Sequence, residues 1–152
     1  MTQAPIILIA NGPNLNMLGV RDPAHYGSQS LADIEAACED RARALGVEVD
    51  FRQSNHEGEL VTWIQQARGA HDGVILNAGA YSHTSIAVLD ALQVCEVPVV
   101  EVHLSNIFRR DAFRHHSYVS LAADGVICGL GAHGYLLALD AVAALIADDD
   151  AD

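Results

Sequence analysis

Glu101 and His103 stand two residues apart in the run Val99-Val100-Glu101-Val102-His103. In an extended strand, residues i and i+2 point to the same side, so the carboxylate can touch the imidazole. Such a carboxylate fixes the ring tautomer and favours its protonated form, which suits a general acid. The same pair also fits a strand-end ion pair without chemistry, or two metal ligands. A third ligand at usable spacing is missing from the sequence, so no metal is expected. Arg21 and Tyr26 form a second group. A tyrosine is almost wholly neutral at pH 7, but a guanidinium within ~4–6 Å lowers its pKa by roughly 1–3 units, enough to make a base of it. Gly19 and Gly27 bracket this stretch, which is longer than a strand-to-helix turn needs, so a lid hinged on glycines is expected. A packed aromatic is the plainer reading of Tyr26.

Further polar groups gather in the neighbouring segments. Asn11-Gly12-Pro13-Asn14 precedes the candidate lid, Asn77 and His83 flank an Ala-Gly turn, and Leu104-Ser105-Asn106 follows His103. Arg109, Arg110 and Arg114 come next. Amides, imidazoles, hydroxyls and guanidinia in this mixture bind oxygen atoms and move protons. No glycine-rich phosphate loop follows any apolar run, and Asn77 stands where a receiver domain would carry an acidic phosphoacceptor. Ordinary turn chemistry around Asn11 and Asn14, and a helix cap at Ser82 or His83, remain the simple alternatives.

Apolar runs of strand length alternate with helical periodicity along the chain. Strands are expected at 6–10, 47–53, 73–76, 97–103 and 125–128. Helices are expected at 31–45, 59–68, 84–94 and 132–147, with a short one around 109–113. Ser30 and Gly46 are in place to cap the first helix. Five β-α units imply a parallel sheet covered on both faces. The expected architecture is α/β, a flavodoxin-like three-layer sandwich with a five-stranded parallel sheet in the order 2-1-3-4-5. Such sheets bind ligands beyond the carboxyl ends of their strands, near the switch point in strand order. The candidate residues all fall there. A single catalytic domain is expected over 1–147, with a disordered acidic tail at 148–152.

Composition narrows the function classes. The net charge of −12 disfavours a nucleic-acid surface. All eight basic side chains are arginine, so no lysine is available for a Schiff base. The three cysteines are widely separated and lack metal or disulfide spacing, so buried free thiols in a reducing cytoplasm are expected. No apolar run approaches the ~20 residues of a membrane span, and no signal pattern opens the chain.

The strings Asn11-Gly12-Pro13-Asn14, Arg21-x-Pro23-x-x-Tyr26-Gly27 and Arg52-Gln53-Ser54 resemble the type II dehydroquinase family in sequence and order. So do Asn77-Ala78-Gly79, His83-Thr84-Ser85, Glu101-Val102-His103-Leu104-Ser105-Asn106, Phe113-Arg114-x-His116-Ser117 and Gly134-Tyr135. The resemblance implies a cofactor-free lyase of the shikimate pathway. It would convert 3-dehydroquinate to 3-dehydroshikimate by anti elimination through an enolate. It implies Tyr26 as base, activated by Arg21, and His103 as acid, oriented by Glu101, with Asn14 holding a water against the enolate. Asn77, His83, Leu104, Ser105 and Arg114 would bind substrate, and Asp90 would reach a neighbouring subunit's site in a homododecamer, a tetramer of trimers. Two other readings stay open: a different cofactor-free lyase or isomerase acting on a polyhydroxylated acid, and a non-catalytic binding module of the same fold.

Overall fold

The computed structural model describes residues 3–20 and 28–152. The candidate lid with Arg21 and Tyr26 therefore lies outside the described residues. Five strands, β1 (Ile6–Asn11), β2 (Glu48–Gln53), β3 (Gly73–Asn77), β4 (Val99–His103) and β5 (Gly125–Cys128), form one sheet. The order is β2-β1-β3-β4-β5 with every pairing parallel, as the alternating pattern requires. The helices are α1 (Leu31–Leu45), α2 (Glu57–Ala70), α3 (Ile86–Gln93) and α4 (His133–Ala151).

Strand alternation divides the core. Ile7, Ile9, Ile75, Val100 and Val102 face one side, where they meet Ile34 and Cys38 of α1 and Tyr135, Leu139 and Val142 of α4. Leu8, Leu76 and Val99 face the other side, against Leu60 and Ile64 of α2 and Val88 and Leu92 of α3. The three inner strands are buried on both faces, and this is why they read as continuous apolar runs. The same alternation carries on to the strand ends. Asn11 and Asn77 continue toward α4, while Glu101 and His103 continue toward the opposite layer.

Several boundaries differ from the sequence-based expectation. Helix α3 starts at Ile86 rather than at 84, because a 3-10 turn (Gly79–His83) occupies the residues before it. Its cap is Ser85, whose hydroxyl accepts from the Val88 amide at 2.9 Å, and not Ser82 or His83. In place of one short helix near 109–113 there are two 3-10 turns, Ile107–Arg109 and Ala112–Arg114. A third follows at Val119–Leu121. Helix α4 runs on to Ala151, through the acidic stretch expected to be a disordered tail, since nothing between Ala147 and Ala151 is a helix breaker. Cys38 and Cys95 are buried free thiols, but Cys128 is only half-buried because β5 is an edge strand. Among the described residues, no helix is long and apolar enough to cross a membrane.

Candidate active site

The loops after β1 and β3 meet closely. Gly12 donates its amide to the Asn77 carbonyl at 2.8 Å, and any side chain there would run into the Ala78 backbone. This contact needs a glycine for space rather than for dihedral freedom. The next turn sets Asn14 in the left-handed region, φ 69°, which asparagine tolerates. Its amide donates to Asn55 Oδ1 at 3.0 Å. Asn14 is thereby brought beside Asn77 on the wall of a pocket at the carboxyl ends of β1, β3 and β4. The order of the sheet reverses between β1 and β3, which is where the general rule places a ligand.

Asn77 belongs to a buried polar chain. Tyr135 is fully buried, donates its hydroxyl to Asn11 Oδ1 at 2.6 Å and accepts from Asn77 Nδ2 at 2.9 Å. Asn11 Nδ2 donates to the Arg52 carbonyl at 3.0 Å, and Asn77 Oδ1 accepts from the Gly79 amide at 3.2 Å. Burial pushes the Tyr135 hydroxyl well above the ordinary tyrosine value, against the lowering effect of the Asn77 hydrogen bond. It is a fixed structural bridge and not a titrating group. The Asn77 amide is thus oriented from behind while it lines the pocket.

On the other layer, the expected Glu101–His103 contact is present. His103 Nε2 lies 2.5 Å from Glu101 Oε2, and the Glu101 side chain is wholly buried. An ionised carboxylate only accepts, so the imidazole proton sits on Nε2 and leaves Nδ1 for the pocket. Burial pushes the Glu101 carboxyl up, but hydrogen bonds from His103, Ser117 and Ser120 together outweigh it and hold the group below its usual value. Glu101 is therefore a charged residue in a dry setting, kept charged by its donors.

His83 lies across from His103, with ring centroids 6.3 Å apart and planes 14° from parallel. Its Nδ1 is 2.7 Å from the His116 carbonyl, which can only accept. The proton is thus on Nδ1, and Nε2 of the neutral ring is an acceptor. Burial is the main cause holding the His83 pKa below the ordinary value, and the nearby positive charges of His103 and Arg114 act the same way. The two imidazoles consequently differ in role. His103 is held against an anion, whereas His83 is held neutral.

Leu104, Ser105, Arg110 and Arg114 complete the pocket wall. Arg110 Nη1 donates to Ser105 Oγ at 3.3 Å. Arg114 lies with its guanidinium carbon 5.0 Å over the Phe113 ring, and its Nε is buried with no partner among the described residues. A buried guanidinium nitrogen without a partner is costly, and a ligand oxygen would satisfy it.

Nine of the eleven residues picked from the sequence lie among those described. Asn14, Asn77, His83, His103, Leu104, Ser105 and Arg114 line one pocket, and Glu101 stands behind His103. Asp90 is away from it, exposed on α3. Arg110 was legible only as one member of an arginine cluster. Asn11, Ser117 and Tyr135 entered only as members of strings that resemble the family, with no role of their own, and Ser120 not at all, because their partners lie far away along the chain.

A family described as dehydroquinase class II matches residues 5–143. The chain is 60% identical over 153 residues to a 3-dehydroquinate dehydratase of Streptomyces avermitilis, covering 100% of this chain and 96% of that one. It is 58% identical to 3-dehydroquinate dehydratase 2 of Pseudomonas putida, covering 93% and 95% respectively. Among solved structures, a type II dehydroquinase from Propionibacterium acnes superposes with a TM-score of 0.90 at 43% identity, covering 95% of this chain and 99% of that one.

Proposed function

The chain belongs to the class II dehydroquinase family, and we propose that its reaction, the dehydration of 3-dehydroquinate, runs through an enolate with Tyr26 as base and His103 as acid. The observation that carries the reading is His103, set 2.5 Å from a buried, ionised Glu101 with Nδ1 left for the pocket. Hydroxide is a poor leaving group, and a protonated imidazole supplies the proton it needs on departure. A proton next to a ketone is only weakly acidic, so the first step needs a base and help for the developing enolate charge. Tyr26, activated by Arg21, is assigned the base from the sequence match. Asn14 is assigned the water that meets the enolate oxygen.

Asn77, neutral His83, Leu104, Ser105 and Arg114 are assigned to binding. The acceptor Nε2 of His83 suits a substrate hydroxyl, and Arg114 suits oxygens that can satisfy its buried Nε. None of these steps calls on a cofactor. The same reading makes the chain a homododecamer, a tetramer of trimers, with Asp90 facing a neighbour's site. Support comes from two exposed apolar residues at the ends of the helix that carries Asp90, Ile86 at its first position (55%) and Val94 at its C-cap (53%). A cytoplasmic location belongs to the proposal too, in keeping with three free thiols.

Adding 3-dehydroquinate and following the absorbance of the conjugated enone product tests the reaction. Tyr26→Phe and His103→Ala are each expected to lower kcat by about 10²–10⁴-fold, the range for losing a general base or acid. Retention of more than about a tenth of the rate by Tyr26→Phe would move the base elsewhere. Light scattering that finds a fully active monomer would overturn the assembly.

A further inference from the structure

A single short segment, 114–120, reaches the His83 imidazole and the carboxylate behind His103 from outside the sheet. The His116 carbonyl fixes the His83 proton. Ser117 Oγ donates to Glu101 Oε2 at 2.7 Å, and Ser120 Oγ donates to Glu101 Oε1. The segment is pinned at its centre. Val119 is fully buried in the core with Leu76 and Val88, and the Tyr118 amide donates to the Ser82 carbonyl at 2.8 Å. The two hydroxyls are thus fixed in place by core packing.

We propose that Ser117 and Ser120 are positioning residues for the acid step, holding the Glu101 carboxylate in place and in charge so that His103 is presented as a proton donor. The inference rests on the functional reading above and deepens it. Its physical basis is the burial of Glu101. A carboxylate with no exposed surface keeps its charge only if its oxygens are satisfied. His103 satisfies Oε2 from the pocket side, while the serines cover Oε1 and the second position on Oε2. Without the hydroxyls, Oε1 has no donor among the described residues, and the proton shared with His103 moves toward the carboxyl. The protonated carboxyl then no longer holds the imidazole as a cation.

Among the described residues, the ionisable groups around the pair are few. His103 shares β4, His83 faces it from the 3-10 turn after β3, and Arg114 sits on the segment that carries the serines. Cys128 on β5 is in register with His103. Among the described residues, only the serines donate to Glu101 without carrying charge, so their removal changes the donors and leaves this set of charges unaltered.

The test compares wild type, the double variant Ser117→Ala/Ser120→Ala, and Ser120→Thr, which keeps the hydroxyl. Folding is checked by circular dichroism at neutral pH. Carbon-13 NMR of labelled glutamate side chains, with Glu101 assigned through Glu101→Gln, reads its ionisation directly. In the double variant the Glu101 signal is expected to titrate about one pH unit or more above wild type. The acid limb of the kcat profile for 3-dehydroquinate should rise by the same amount, about a tenfold loss of rate on that limb. KM is expected to stay near wild type, and Ser120→Thr to titrate with the wild type. A merely structural role would lower the folded fraction and leave both titrations where they were. A folded double variant with an unmoved Glu101 signal overturns the proposal. Absence of 3-dehydroquinate turnover in the wild type would instead overturn the functional reading, and the NMR titration would still decide the hydrogen-bonding role.

Discussion

Tyr135 carries one hydroxyl that serves two amides. It donates to Asn11 and accepts from Asn77, so the ends of β1 and β3 are held at a fixed spacing from α4. Removing that oxygen leaves Asn11 Oδ1 and one Asn77 N–H facing each other with nothing between them. An unsatisfied buried polar group costs about 1–3 kcal/mol, whereas the ring itself packs equally well as phenylalanine. Tyr135→Phe is therefore expected to lower unfolding free energy by about 1–3 kcal/mol, read from urea denaturation. KM should rise more than kcat falls, because Asn77 loses its orientation and the His103–Glu101 pair does not touch this network. A variant as stable as wild type would show that a water or a shifted amide replaces the hydroxyl without loss.

Helix α1 is positioned by its first turn. Ser30 accepts from the Asp33 amide at 3.1 Å, and Asp33 returns the bond to the Ser30 amide at 3.0 Å, a reciprocal cap. Ser30→Ala should cost about 1 kcal/mol, seen as a lower urea midpoint with an unchanged slope. An unchanged midpoint would mean that packing of Ile34 and Cys38 alone sets the helix start. This cap was readable because Ser30 and Gly46 bracket a periodic apolar face. The Glu101–His103 contact was readable for a similar reason, since strand alternation fixes direction at i and i+2. The sheet order followed from alternating strand and helix patterns, supported by the family resemblance. Direction was lost where the chain leaves regular structure. Ser117 lies between two 3-10 turns and Ser120 within the second of them, 16 and 19 residues from Glu101, and no period predicts where their hydroxyls point. Tyr135 and Asn11 are 124 residues apart, and only the finished fold joins them. Ser85 displaced the expected caps because a 3-10 turn has no amphipathic signature of its own.

Across the whole molecule, two electrostatic effects compete as pH falls. The chain carries −12 at neutral pH, so mild acid relieves self-repulsion and favours the compact state. Particular groups act the other way. The His83 pKa is lowered by burial first, so in mild acid the unfolded chain takes up a proton that the folded chain resists. Stability present above the unfolded value, near 6.5, is then lost as pH falls between the unfolded and folded values. Asp50 is held low chiefly by its hydrogen bonds from Arg52, with His71 adding to them. Glu101 is held low by its donors against burial. For both carboxyls the stability is present above about pH 4 and is lost as pH falls through their lowered folded values. Salt separates the two effects, because a Debye length of about 3 Å at 1 M screens long-range repulsion but leaves hydrogen-bonded, buried groups largely untouched. At about 1 M salt the urea midpoint is therefore expected to fall in two stages, one below about pH 6.5 and one below about pH 4. At low salt the first stage should be shallower, because relief of repulsion offsets it. His83→Gln should remove the His83 share of the first stage and leave the second intact. The same decline in wild type and His83→Gln at high salt would show that His83 is not held neutral by the fold, and its assignment as a hydrogen-bond acceptor in the pocket would fall with it.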